Sequence, residues 1–425
     1  LRGRKDAIRH EWQPTATQGA RTMSGVTEGA DRKKRKPVPR GIASSGPAVL
    51  SYGFRPFFLG AGLFAVVAMA SWIGALVAGW DIGGSYGALN WHAHEMLFGY
   101  TSAALAGYML TAIPNWTGRL PVSGSQLLGL FMLWLAGRIV MIWPGPLGVT
   151  GAALVDGVFL PTLAIVAGTE VFAGRNWKNL KILAGLLGLS LANVAFHSTV
   201  ILSGSAAEAS RAGVAIYTVL IAVVGGRIVP SFTRNWLAKA ASSVLPVPFG
   251  RFDVIATGGL IAALMLWVAV PQGVPTAMVA AGAALLHAFR LVRWRGWLTI
   301  EEPLLLALHA GYAFVPTGLA ALSAAAMGWV AEASALHLLT VGAIGGMTLA
   351  IMTRASLGHT GRPLKASLLT ALSYLALMLS AVVRPFAELL PAQYHTLLAV
   401  AGTAWLAAFG LFVVEYAPIL LSPRR

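Results

Sequence analysis

The sequence predicts an all-α integral membrane protein with twelve transmembrane helices and both termini in the cytoplasm. Three observations carry that prediction. Of the 425 residues, 57% are hydrophobic and only 11% are charged, with a mean hydropathy of +0.71, so there are too few ionisable groups to cover a soluble globule. From Phe57 onward the apolar residues fall into segments of about 20, each long enough to cross roughly 30 Å of hydrocarbon as a helix. Finally, the basic residues alternate between the connections that join those segments.

In order, the segments run over 56–79, 90–113, 125–143, 149–173, 178–203, 211–232, 251–271, 274–294, 303–327, 332–353, 366–387 and 394–418. The loop charges test the count. Connections after even-numbered segments carry Arg119, then Arg175, Lys178 and Lys181, then Arg234, Lys239 and Arg251, then Arg290, Arg293 and Arg295, then Arg354, Arg362 and Lys365, with Arg424 and Arg425 at the end. Connections after odd-numbered segments contribute only Arg211 and Arg384. An error of one helix would scramble this alternation, which places the basic loops and both termini inside.

Residues 1–50 form a separate region, a polar, Gly/Ser/Pro-rich, basic cytoplasmic tail with the run Asp31-Arg-Lys-Lys-Arg-Lys36. Its composition predicts disorder, because it offers nothing to bury. The basic run suits a solvated tail or contact with anionic lipid headgroups. It has no signal-peptide pattern, and Met23 opens a sequence of its own, so residues 1–22 read as a start-site extension. Residues 51–425 form a single transmembrane domain.

The formal charge of +16 is a topology signal and excludes nucleic acid as a partner, because the charges lie in the tail and the short loops. The chain has no cysteine, which excludes disulfides, thiolate metal sites, iron–sulfur clusters and covalently attached c-type haem. Any metal must be held by His, Met, Asp, Glu or backbone.

A longer internal period also appears. Gly225-Gly226 precedes Thr233-Arg234, and Gly345-Gly346 precedes Thr353-Arg354, with Ala106-Gly107 in a comparable place on the second segment. Positions 107, 226 and 346 are spaced as three units of four helices would require. Small residues placed independently for close helix packing are the other reading.

Nine histidines are the candidate functional residues, because ionisable groups inside a membrane are costly and face a cofactor, a partner or water. His10 lies in the tail. Towards the outer face lie His92, His94, His197, His337 and His395; towards the inner face lie His287, His309 and His359. His92 and His94 project about 200° apart on a helix, so they serve different sites, or one ligates while the other orients. Below His92, Met96, Gly99, Ala103 and Gly107 form a stripe flat enough for a porphyrin or a neighbouring helix to lie against; Gly342, Gly345 and Gly346 follow His337 in the same way. Bis-His ligation of a noncovalent haem needs one imidazole from each of two facing helices, with small residues where the macrocycle lies. The second and tenth segments meet that need through His92 or His94 together with His337, and His197 is a further candidate metal ligand.

His287 and His309 lie on consecutive, antiparallel segments at similar depth and are able to hold a second haem or a copper ion. Arg138 and Arg227 are candidates to pair with haem propionates, or else snorkel from helix ends. Glu95, Asp156, Glu170 and Glu415 are candidates to relay protons or to orient a metal-bound imidazole. His359, in a loop, and His395, beside Tyr394, read as structural or interfacial.

Three stretches resemble the signature segments of the NnrS family. They are Trp91-His-Ala-His-Glu-Met-Leu-Phe-Gly-Tyr100, Gly225-Gly-Arg-Ile-Val-Pro-Ser-Phe-Thr-Arg-Asn-Trp236, and the long run from Leu336-His337 through Gly345-Gly-Met-Thr-Leu-Ala-Ile-Met-Thr-Arg-Ala-Ser-Leu-Gly-His-Thr-Gly-Arg-Pro363. Similarity extends through Tyr52-Gly-Phe-Arg-Pro56, Asn115-Trp-Thr-Gly118 and the region from His287 to His309. The resemblance implies a bacterial inner-membrane haem- and copper-containing protein that binds or processes nitric oxide or relieves nitrosative stress, with an electron donor not identified by sequence. Twelve helices with haem histidines on the second and tenth also look like the catalytic subunit of haem–copper oxidases. The sixth and seventh segments lack histidine, however, so the three-imidazole copper site of those oxidases is missing. A transporter with a His-lined site and a quinol-linked reductase are the alternative readings.

Overall fold

The computed structural model describes residues 46–425; the tail through residue 45, with its basic run, Met23 and His10, lies outside the described residues. Twelve helices are long and apolar enough to span a membrane. They are α1 (Phe54–Ala78), α2 (Gly84–Thr117), α3 (Gly124–Ile142), α4 (Gly148–Ala173), α5 (Trp177–Ser203), α6 (Ala207–Lys239), α7 (Arg251–Ala269), α8 (Val274–Arg293), α9 (Pro303–Ala326), α10 (Glu332–His359), α11 (Leu368–Phe386) and α12 (Pro391–Leu421). No strand occurs among the described residues.

These match the twelve expected segments one for one. The differences lie at the ends, where α2, α6 and α10 continue beyond their apolar stretches, because polar residues complete helical turns outside the hydrocarbon. His359 is therefore the last residue of α10 and not a loop residue. It stacks on Tyr52, with ring centroids 5.7 Å apart.

Consecutive helices pack side by side, and α1 also packs against α12, which joins the two ends of the chain. The centre belongs to α2 and α10. In α2, 83% of the most apolar window is buried and in α10 67%, against 33% in α1, α3, α4 and α7. The reason is in the sequence: the histidine-, glycine- and threonine-bearing helices need protein around their polar groups, while the uniformly apolar ones can face lipid. The two central helices touch through the Tyr100 and Thr348 hydroxyls, 2.6 Å apart.

Both central helices are irregular at matching places. In α2 a regular stretch ends at His94 and a π-helical turn follows over Glu95–Tyr100. In α10 the regular stretch ends at His337 and a π-helical turn follows over Leu338–Gly345. A π turn inserts one residue into the helix, which re-aims the side chains above it and recurs at functional sites. The Thr101 hydroxyl donates to the Met96 carbonyl at 2.7 Å, satisfying an acceptor in the widened stretch of α2. The third segment of the expected period, α6, is a continuous α-helix over the same register.

The period's glycines act as packing points. A Cβ on Gly107 would meet the ring of Phe58 and the Cβ of Phe57, and one on Gly226 would meet the Arg290 guanidinium. Gly311 of α9 and Gly346 of α10 bring two backbones together: a Cβ on Gly311 would stand 3.0 Å from the Gly346 carbonyl carbon. Backbone cannot rotate away as a side chain can, so Gly311→Val is expected to destabilise the fold by about 1–3 kcal/mol or more. Thermal unfolding of the purified variant in detergent checks this, and an unchanged midpoint would contradict it.

Candidate metal and cofactor sites

His92 and His94 leave α2 towards different neighbours, as two residues that far apart on a helix must. His92 turns towards α1 and α10. Its ring stacks on Trp72, with centroids 4.5 Å apart and planes 15° from parallel, and His337 and Arg384 lie close enough for their charges to act on it. The His92 Nδ1 atom is buried without a hydrogen-bond partner. On α10, the His337 Nδ1 atom is 2.6 Å from the Ala333 carbonyl. A carbonyl can only accept, so Nδ1 carries the proton and Nε2 keeps its lone pair. Both imidazoles are half-buried, and Arg384 beside them is paired with Glu388 at 2.7 Å.

Of the two expected occupants of the small-residue stripe below His92, a macrocycle or a neighbouring helix, the structure shows neighbouring helices. Gly99 is backed by Phe64 and Arg138, and Gly107 by Phe57 and Phe58. On α10, Gly342 is covered by Phe314 and Gly345 by Trp405. Sequence could show only that these surfaces are flat, not what lies on them.

His94 enters a separate, fully buried polar network between α2, α3, α4 and α5. Its Nδ1 atom is 2.8 Å from Glu95 Oε1, and its Nε2 is 2.9 Å from Asn193 Oδ1 and 3.1 Å from Asp156 Oδ2. His197 Nε2 reaches the same Asp156 oxygen at 2.9 Å. The Tyr86 hydroxyl stands 2.5 Å from His197 Nδ1. Arg138 bridges the two carboxylates, contacting Glu95 at 2.5 Å and pairing with Asp156 through its other terminal nitrogen. One guanidinium between two carboxylates leaves a net charge of −1, which a proton on an imidazole or a cation would neutralise. His94, Asp156 and His197 each offer a ligand atom, all within 4.8 Å of one another. Arg138, expected as a partner for propionates, is committed to protein carboxylates.

The inner pair is not brought into one site. His287 has both ring nitrogens engaged, Nδ1 with the Tyr312 hydroxyl at 2.9 Å and Nε2 with the Ala256 carbonyl at 3.0 Å. Tyr312 is also held by Arg290 at 2.9 Å, and Arg290 pairs with Asp253 at 2.9 Å. His309 is 2.8 Å from the Thr233 hydroxyl through Nε2, while its buried Nδ1 has no partner. The two rings thus have separate hydrogen-bond partners, Tyr312 and Ala256 for one and Thr233 for the other.

Other expected residues lie elsewhere. Arg227 is exposed on α6, 3.4 Å from Asn179 Oδ1. Glu170 pairs with Arg119 at 2.5 Å. Glu415 accepts from Thr370 at 2.8 Å, and His395 is exposed at the start of α12. The sequence did not single out Trp72, Tyr86, Asn193 or Tyr312, and it marked Thr233 only as part of a repeated segment. These are ordinary membrane-helix residues whose role comes from what they face; only Tyr86 and Asn193, polar groups at the depth of His94 and His197, gave a signal that could have been used.

A family model described as NnrS protein matches residues 48–424, so the chain belongs to the NnrS family. No curated protein matches it.

Proposed function

We propose that this NnrS-family membrane protein carries a noncovalent haem held by His92 and His337 and a copper ion held by His94, His197 and Asp156, and that it binds or processes nitric oxide. The observation that carries this reading is the pairing on α2 and α10. On each, an imidazole with an uncommitted ring nitrogen precedes a π-helical turn, and the two lie within electrostatic range of each other and of Arg384. The residues fit the cofactors by their donor chemistry. His337 is oriented through a carbonyl, as haem and metal histidines are, so that Nε2 is available as a ligand. The orphaned Nδ1 of His92 is costly unless something engages it. Arg384 supplies positive charge suited to a propionate.

For copper, two imidazoles and a carboxylate form a suitable N,N,O set. The His197 and His94 Nε2 atoms lie 2.9 and 3.1 Å from the same Asp156 oxygen, so the three donor atoms that would hold the ion already converge. Glu95 on His94 and Tyr86 on His197 hold the remaining ring nitrogens, the arrangement that fixes tautomer and orientation in metal sites. Haem and copper, when bound, supply nitric oxide binding and one-electron exchange. The protein would contribute one ligand to each centre from a single turn of α2. The charge alternation of the loops supports a bacterial inner-membrane location with the basic loops cytoplasmic.

Purified wild-type protein is expected to show a low-spin Soret band that responds to nitric oxide, and stoichiometric copper by elemental analysis. Absence of both haem and copper from protein expressed with adequate supply of each would sink the proposal.

A further inference from the structure

A cleft of about 780 Å³ opens between α5, α6 and α7. Its walls are apolar, formed by residues such as Ile216, Val219, Leu264 and Val268, and no carboxylate and no histidine lines it. Its polar groups gather at the end nearest the basic loops, where Lys181, Arg227 and Arg290 reach the cavity. Lys181 and Arg227 are close enough for their charges to act on each other. Arg290 is fully buried; its Nε and Nη1 atoms are occupied by Asp253, Ala222 and Tyr312. Its Nη2 atom is buried with no partner. Gly226 makes this possible, because any side chain there would collide with the guanidinium.

We infer that this cleft is a binding site for an anionic phospholipid, with the phosphate at Lys181, Arg227 and the free Arg290 nitrogen and an acyl chain along the apolar walls. Three cations face one carboxylate, Asp253, which leaves an excess of positive charge at the end of an apolar slot. That combination matches an acidic headgroup attached to hydrocarbon, as in other basic pockets between transmembrane helices. The volume is in the range of a single bound amphiphile. A neutral isoprenoid quinone would fill the walls but leave the cations unanswered.

The test uses full-length protein in nanodiscs of phosphatidylcholine, alone or mixed with phosphatidylglycerol, followed by mild delipidation and native mass spectrometry. Wild type is expected to retain phosphatidylglycerol in preference to phosphatidylcholine. The double variant Lys181→Gln/Arg227→Gln is expected to lose that preference, by about fivefold in affinity per cation removed. Gly258 lines the cleft and has open space where its Cβ would be, so Gly258→Phe blocks the slot with the cations intact and is expected to displace the lipid as well. Equal retention of both lipids by wild type, or unchanged preference in both variants, overturns the inference. So does retention of a quinone or a peptide in place of lipid, or loss of haem from the cleft variants, which would make the cleft a cofactor site. A wild type without haem that still selects phosphatidylglycerol would remove the proposed function and leave the lipid site standing.

Discussion

His337→Ala is expected to leave the purified protein without its low-spin haem spectrum and to lower the haem-to-protein ratio by more than about tenfold, since changes merely behind a metal ligand already cost about 10- to 100-fold. His92→Ala is expected to act in the same way. The two side chains come from the two most buried helices, and each lies one residue or a few before a π-helical turn. The His92 ring also stacks on Trp72, so the unfolding midpoint of each variant is measured beside its spectrum to separate loss of haem from loss of packing. His395→Ala, at an exposed position on α12, serves as the control and should leave spectrum and ratio unchanged. Pigment analysis of the variants decides the matter: if both His337→Ala and His92→Ala keep a wild-type low-spin spectrum, the haem is not held by this pair. His287→Ala distinguishes the two ends of the bundle further. Its ring nitrogens are already taken by Tyr312 and Ala256, so it should affect stability and leave the spectrum alone.

Arg138→Met is the second large effect. The guanidinium is 3% exposed and stands between Glu95, 0% exposed, and Asp156, 2% exposed. Removing it leaves two carboxylates together in a medium that solvates neither, and breaking a buried pair in this way costs about 3–5 kcal/mol. The expected outcome is a strongly lowered unfolding midpoint in detergent, or loss of folded protein during purification. Arg138→Met/Glu95→Gln removes one of the stranded charges and should recover part of the loss; the same double-variant logic measures the coupling directly. A single variant as stable as wild type would mean that the network is not held together by charge. Asp156→Asn separates the structural part from the metal part. It keeps hydrogen-bonding capacity towards Asn193 and His197 but loses the anionic ligand, so copper content should fall more than stability does.

Next to His92 and His94 lies a local feature that hydropathy alone does not disclose, the π turn of α2. A regular helix would continue the His92 stripe through Gly99 and Gly107, and both glycines do lie against aromatic rings. The π turn over Glu95–Tyr100 contains Gly99 and changes the register between the histidines and Gly107. The pattern of small residues therefore reported packing against α1 and α3 correctly as a close approach, but not what makes it. The inner histidines illustrate the complementary limit. Their similar depth is an expectation from counting residues from helix ends, whereas their hydrogen-bond partners, Tyr312 on α9 and Thr233 on α6, come from the way the helices face one another; Thr233 falls in a repeated segment, but the repeat does not say that it meets His309.

The sequence by itself determined the class, the number of spans and the family. These depend on quantities that add along the chain: apolar length against bilayer thickness, loop charge against side, and runs of residues long enough to be distinctive. It also determined that imidazole is the main available metal donor, because cysteine is absent, and that His92 and His94 must serve different neighbours. Only the tertiary structure decided which neighbours those are. It gave His94 to His197, Asp156 and Arg138, gave His92 to Trp72 and His337, and kept His287 apart from His309. Such choices depend on which helix faces which and on single residues inserted as π turns. Both are set by packing between segments that lie from tens to hundreds of residues apart, and no periodicity within one segment encodes them.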